Sequence, residues 1–263
     1  MMFSIVIPVY NAESTIEKTI ESVVGQKLID FEYEIIIVDD ASTDQSLNVI
    51  SKFKQHSNLK IIELTRNSGV SIARNVGVRS SIGKFVLFLD SDDRFHQFKL
   101  STLYNLLKTQ PDIDFLYHDY ALNISELKVA YENNEVRLCW RYFKYFNSIR
   151  NSICTPCVMV RRNKLQDFDE KLKRMEDLEL WTSLFFSGVK AYHLNSKLTL
   201  LGHELNKGSG LSSDNRKMRT SEKEMYDILK GKFEKFSSFY CIAILFHQLK
   251  RFKDFMKNRG THV

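Results

Sequence analysis

Apolar residues follow two alternating rhythms along the first part of this chain. Short continuous runs occur at FSIVIPV (3–9), YEIIIVD (33–39), LKIIEL (59–64) and KFVLFLD (84–90). Runs of this kind, bounded by polar residues, mark strands buried on both faces. Between them apolar residues recur at helical spacing: 16, 20, 23 and 24 after Ser14, then Leu47, Ile50 and Phe53 after Asp44 and Ser46, then the stretch from Val70 to Ser80. Four strand–helix repeats predict an α/β fold, a mostly parallel nucleotide-binding type of sheet flanked by helices. Ligands of such sheets bind beyond the carboxyl ends of the strands. The polar clusters Tyr10-Asn11, Asp39-Asp40 and Asp90-Ser91-Asp92-Asp93 all fall there.

Past residue 110 the regularity fades. DFLYHDYAL (114–122) and TPCVMVRR (155–162) read as strands around an aromatic-rich segment, WRYFKYF (140–146). A helix is expected over 96–108 and another over 175–186, where Leu178, Trp181 and Phe185 form an apolar stripe. Residues 191–203 read as a strand or hairpin, 206–215 as a loop, and the remainder as a helical tail.

Composition narrows the class. With 43% hydrophobic and 27% charged residues in 263, the chain reads as one globular domain with room for an appendage. No run reaches the roughly 18 apolar residues of a spanning helix. The opening MMFSIVIPVY has no basic segment and no small-residue cleavage site, so no signal peptide is expected and the expected location is cytoplasmic. Of the net charge of +6, nearly all lies in the tail: from Lys223 to Val263 there are nine Lys/Arg against four Asp/Glu. A basic tail on a near-neutral body points to a surface contact rather than to nucleic acid. Cys154 and Cys157 fit a C-x-x-C redox pattern, yet a strand rather than a helix follows, so structural cysteines are expected.

The run FVLFLDSDDRF (85–95) ends a core strand in three carboxylates within four positions. Like charges this close raise one another's pKa, so a positive partner is expected. Mg²⁺ and Mn²⁺ take oxygen ligands, typically one or two carboxylates plus substrate phosphates. A D-x-D pattern alone is weak, since capping aspartates in a turn look the same.

Its company changes the odds. IVIPVYNAESTIEKTIESVVGQ, IIIVDDASTDQS, LTRNSGVSIARNVGV, VLFLDSDD and MEDLELW occur in this order. Together they resemble the family 2 inverting glycosyltransferases of the GT-A fold, over roughly residues 3–215. The resemblance implies a catalytic domain over 1–215, its nucleotide-sugar half to about 110 and its acceptor half over about 111–215, with a helical basic extension over 216–263. It implies that Pro8 and Tyr10 pack against the nucleotide base, as an aromatic face can. It also implies that Asp39 accepts from the uracil N3–H; thymine offers the same donor, so UDP and dTDP stay undivided. Arg74 matches a helix beside the nucleotide, although on chemistry alone a surface salt bridge is as good a reading. Gly77 would let that helix approach the sheet.

Asp90, Ser91 and Asp92 match the sugar-nucleotide and metal motif, with Asp92 as the direct ligand of Mn²⁺ or Mg²⁺, while Asp93 has no assigned role. Asp177 matches the general base. Both acids of Glu176-Asp177 stand at a helix N-terminus, which favours their ionised forms. Glu176 and Trp181 are candidates for touching acceptor or positioning the helix. His203 matches a late histidine that completes the metal site in part of the family, and the 206–213 loop, with Gly208, Ser209 and Gly210, is a candidate lid.

The activity implied is transfer from a nucleoside-diphosphate sugar to a glycan or lipid-linked acceptor in bacterial surface-polysaccharide assembly, such as O-antigen. The tail, FEKFSSFYCIAILFHQLKRFKDFMKNRG, suits an anionic membrane surface at the inner face of the cell membrane. Two alternatives are a sugar nucleotidyltransferase, which would need a Gly-rich basic loop after the first strand where PVYNAEST stands, and a non-catalytic sugar-nucleotide binding module, which would not need Glu176-Asp177. Oligomeric state has no signal in the sequence.

Overall fold

Continuous Ile/Val runs need cover on both faces, and the computed structural model supplies it. It describes residues 1–127, 135–202 and 214–260, with side chains as far as 254. Strands β1 (Phe3–Val9), β2 (Tyr33–Asp39), β3 (Leu59–Glu63) and β4 (Phe85–Phe88) alternate with helices α1 (Ile16–Val24), α2 (Ser46–Ser51) and α3 (Val70–Ser80). These strands pair in parallel in the order β3-β2-β1-β4, and every residue of β1 and β4 is buried. The order reverses between β1 and β4, which opens a ligand crevice at their carboxyl ends.

After β4 come β5 (Arg94–Phe95), α4 (Lys99–Thr109), β6 (Phe115–Ala121), β7 (Val136–Leu138), α5 (Phe143–Arg150), β8 (Val158–Arg161), α6 (Glu176–Phe186) and β9 (Ala191–Leu200). The sheet continues β4-β8-β6-β9-β5, with β7 also on β9. β8 lies antiparallel to β4 and β6, whereas β6 and β9 run parallel with a register slip at His118–Tyr120. The parallel character thus belongs to the first half, and the second half is mixed. The helix expected from 96 begins at Lys99, because Arg94 and Phe95 are taken by pairing with Leu200 and Thr199. Residues 155–157 form a 3₁₀ turn before β8, and 191–200 is one strand rather than a hairpin.

One core packs α1 and α4 on one face of the sheet, around Ile5, Ile7, Ile37 and Leu87. On the other face Trp181 of α6 meets Phe88, Phe115 and Phe168. Helices α7 (Asn215–Lys232) and α8 (Glu234–Gly260) are not loosely appended: Met225, Tyr226, Leu229 and Phe236 share a buried cluster with Leu172, Met175 and Leu178. Among the described residues no helix is long and apolar enough to cross a membrane.

Candidate active site

The loops after β1 and β2 are stitched together by side chains. Asn11 accepts from the Thr43 N–H at 2.8 Å, the Ser42 hydroxyl accepts from the Asn11 N–H at 3.0 Å, and the Ser46 hydroxyl accepts from the Ala12 N–H at 2.8 Å. Beneath them Asp39 is buried. One of its oxygens accepts from the Ser42 N–H at 3.0 Å, while the other, Oδ1, is buried with no partner. A buried acceptor left unpaired is costly, so it marks a place where a donor belongs. Tyr10 is 47% exposed at the same edge. Asp40 is more than the start of a turn, since it accepts from the Ser68 and Gly69 N–H groups at 2.7 Å each and so fixes the entry to α3.

Helix α3 can lie close to the sheet because of Gly77, where a Cβ would stand 2.3 Å from Cγ1 of Val6. This approach carries Arg74 inward. Arg74 is no surface residue: it is 4% exposed and donates to Asp90 and Glu176 at 2.8 Å each, over the face of Phe168. These anions raise its pKa despite the burial that opposes them. Its neighbour Asn75 holds the Phe168 backbone through both side-chain atoms, at 3.0 and 2.8 Å, and so ties α3 to the segment leading into α6.

Asp177 follows Glu176 in the first turn of α6. Met175 before them has a left-handed backbone (φ 63°), and no side chain caps the helix. Positive φ in a non-glycine residue is uncommon and gathers at functional sites; Asn11 and Ala41 share it at the ends of β1 and β2. Asp177 accepts from the Thr155 hydroxyl at 3.0 Å and from the Leu178 N–H at 2.7 Å. Its pKa is pushed up to about 6, first by burial and then by Glu176, against the pull of Arg74 and the two hydrogen bonds. The helix terminus therefore does not hold this acid low; desolvation outweighs it.

Behind the D-x-D loop, Asp93 is buried and its pKa rises to about 8, from burial and then from Asp90 and Asp92. It accepts from the Gly202 N–H at 2.8 Å, and Gly202 can come so near only without a side chain, since a Cβ would meet the Asp92 carbonyl oxygen at 2.1 Å. Lys99, fully buried, donates to the Pro156 carbonyl at 2.7 Å and to the Thr199 hydroxyl at 3.0 Å. It thereby links the Thr155-Pro156 turn under Asp177 to the strand that leads to Gly202. Burial lowers its pKa to about 7. Nothing in the sequence pattern distinguished Lys99, Thr155 or Asn75, because their partners lie far away along the chain.

A search against family models matches residues 4–168 to "Glycosyl transferase family 2". The chain belongs to this family. Among family 2 relatives, TarS of Staphylococcus aureus, a poly(ribitol-phosphate) beta-N-acetylglucosaminyltransferase, is 43% identical over 94 residues, 35% of this chain and 16% of TarS. WfaP of Escherichia coli, a UDP-Glc:alpha-D-GlcNAc-diphosphoundecaprenol beta-1,3-glucosyltransferase, is 29% identical over 195 residues, 74% of each chain. The crystal structure of TarS 1–349 in complex with UDP-GlcNAc superimposes with a TM-score of 0.67 at 24% identity, over 88% of this chain and 67% of that one. The fold is thus that of TarS, a GT-A glycosyltransferase, although the chain matches only 40% of the full-length TarS structure.

Within this family 2 fold the expected site residues divide. Tyr10, Asp39, Arg74, Asp90, Ser91, Asp92, Glu176 and Asp177 all stand at the carboxyl edge or on the helices facing it. Pro8 is buried inside β1, so it cannot lie against a base; its missing N–H falls where the β4 ladder has already ended, two residues past Val6. Trp181 is fully buried among aromatic rings, which removes any contact with acceptor and leaves it the role of seating α6. His203 and the 206–213 loop lie outside the described residues. Cys154 and Cys157 are free thiols with raised pKa values, Cys157 to about 12 through burial, which fits structural cysteines rather than a redox pair. Among the described residues no three His, Cys, Asp or Glu side chains form a ready metal cage. The donor set fits a hard divalent cation only as the partial kind that shares its ion with phosphates, with Asp92 the residue that would hold it and Asp90 already turned to Arg74.

Proposed function

We propose that the chain transfers a sugar from a UDP-sugar, with inversion, to a saccharide carried on a bacterial surface polymer or its lipid-linked precursor. The observation that carries this reading is the Arg74 guanidinium, which joins Asp90 of the donor-side motif to Glu176 beside Asp177. One buried cation thus gathers the acid that faces the nucleotide and the acid pair that faces the acceptor.

On this reading Tyr10 stacks on the base and the unpaired Asp39 oxygen takes its N3–H. A divalent cation held by Asp92 would neutralise charge on the departing diphosphate. Glu176 fixes Arg74, and Asp177 takes the proton of the acceptor hydroxyl as it attacks. A base with a pKa at about 6 is ionised at neutral pH yet basic enough to receive a proton. Thr155 and the Leu178 N–H hold its carboxylate in one orientation. UDP is favoured over dTDP because the similar TarS chain was crystallised with UDP-GlcNAc, and a polymer or lipid-linked acceptor because the names of TarS and WfaP specify such acceptors. The basic tail makes association with the inner membrane surface part of the proposal.

A thermal-shift titration of UDP and dTDP with Mn²⁺ or Mg²⁺ tests the donor side. UDP should stabilise the protein in a metal-dependent way, and Asp92→Ala should weaken the shift and remove its metal dependence. Unchanged metal-dependent binding in that variant would refute the assignment.

A further inference from the structure

The tail carries an apolar face that its own packing leaves uncovered. The rotation of α8 about its axis is fixed from inside: Ala243 and His247 are buried against α7, Glu222 of α7 lies 2.8 Å from His247 Nδ1, and Asp254 pairs with Arg219 at 2.9 Å. Lys250 reaches across to Glu222 and to the Ile149 carbonyl of α5. At 100° per residue this places Ile242, Leu245, Phe246, Leu249 and Phe252 within one arc of about 120°, with Leu245 and Phe252 opposite α7 and Phe246 at the edge toward Phe239. All five are exposed, Leu245 by 59% and Phe252 by 63%.

The stripe does not end at α8. Phe239, next to it on the wheel, touches Tyr145 of α5 at 4.9 Å; Tyr145 adjoins Tyr142, and Tyr142 adjoins Trp140. Trp140 and Tyr142, just before α5, and Phe146 within it are exposed, whereas Phe143, Lys144 and Tyr145 turn to Phe185 and Phe186. α5 packs on α8, and the run of rings Phe239, Tyr145, Tyr142 and Trp140 joins the two aromatic sets into one surface. Cations rim it. Arg141 lies over the Tyr142 ring and Arg150 over Phe146, and Lys144 has its pKa lowered by burial and then by Lys235 and Arg141. None of Arg141, Lys144, Arg150 and Lys235 is ion-paired with a described carboxylate.

We propose that this flank, the outer stripe of α8 with the Trp140–Phe146 aromatics, is the surface by which the protein lies on an anionic lipid bilayer. The apolar and aromatic side chains enter the headgroup boundary, where such rings are favoured, and the unpaired cations meet lipid phosphates. A second copy of the chain is the poorer occupant, because it would bring these like charges together. The inference deepens the membrane association proposed above and names the face that makes it. Helix α6, eleven residues and therefore about 16 Å long, runs from Asp177 to Phe185 and Phe186, which pack under Phe143, Tyr145 and Phe236, so one rigid helix joins the base to the elements that carry this flank.

The test is co-sedimentation of the whole chain with phosphatidylglycerol–phosphatidylcholine vesicles and with pure phosphatidylcholine vesicles. The double variant Leu245→Asp, Phe252→Asp changes only exposed positions, and the UDP thermal shift reports whether the fold and donor site are intact. The wild type should bind the anionic vesicles at low salt, bind at least about tenfold more weakly in high salt, and ignore phosphatidylcholine. The double variant should lose at least about tenfold in vesicle affinity with the UDP shift unchanged. Wild-type protein that stays in the supernatant, or a variant that binds as the wild type does, overturns the proposal. So does a light-scattering mass showing a dimer that the variant dissolves. Vesicle binding without any UDP shift would instead overturn the donor reading and leave this surface standing.

Discussion

The edge formed by β1 and β2 and the junction around Arg74 both hold buried carboxylates, by opposite means. At the β1–β2 edge Asp39 and Asp40 are met by backbone N–H groups 3, 28 and 29 residues away, which carry no net charge and need no further ion. At the junction Asp90 and Glu176 pair with one guanidinium and Asp177 stands beside them, its pKa raised by burial and then by Glu176. The first arrangement builds a fixed cradle with one acceptor to spare. The second builds a centre whose charge is not balanced until something positive joins it. Prebuilt recognition on one side and imbalanced charge on the other is what transfer from a bound nucleotide to an incoming hydroxyl requires.

Removing the shared cation should break the contrast most severely. Arg74→Met leaves the acids without their counter-charge and should cost on the order of 3–5 kcal/mol of unfolding free energy at pH 7, read by urea denaturation. Part of this cost should return on acidification through about pH 6, as Asp177 takes up its proton.

The cradle should respond differently. Asp39→Ala should change stability by only about 1 kcal/mol, because a single backbone hydrogen bond is lost, yet weaken UDP binding by roughly tenfold to a hundredfold in calorimetry. An unaltered UDP affinity would mean that the unpaired oxygen is not the base-reading group.

The smallest effect concerns Thr155. Its hydroxyl donates to the ionised form of Asp177, so Thr155→Val removes a group that favours the charge and Asp177 should titrate higher. The acid limb of the kcat–pH profile, expected at about 6, should move upward by less than about one pH unit, and Thr155→Ser should restore it.

Much of the cradle was legible in the sequence, and much of the junction was not. The strands at 3–9 and 33–39 and the helix at 70–80 match the structure residue for residue, the strands because their continuous Ile/Val runs are buried on both faces of a parallel sheet. Past β4 the strands are antiparallel or slip register, as at His118–Tyr120, and their short runs mix with turns. Arg74 illustrates the second limit. Its partners lie 16 and 102 residues away, so local pattern left a surface salt bridge equally open. Trp181 shows a third: an apolar stripe says that a helix face is covered, without saying by what, and here the cover is Phe88, Phe115 and Phe168 rather than a ligand. Lys99 was hidden because a lysine in a helical run reads as solvated, although here it fills the floor between Pro156 and Thr199.

On the proposed mechanism Asp177 accepts the acceptor proton while the cradle binds the donor independently of it. This central claim is tested most directly by measuring sugar transfer from a UDP-sugar by Asp177→Asn, alongside UDP binding by the same preparation. The account predicts a loss of ~10²–10⁴ in kcat with UDP affinity unchanged. Wild-type turnover in Asp177→Asn, or a larger loss in Glu176→Gln, would contradict it and move the base elsewhere.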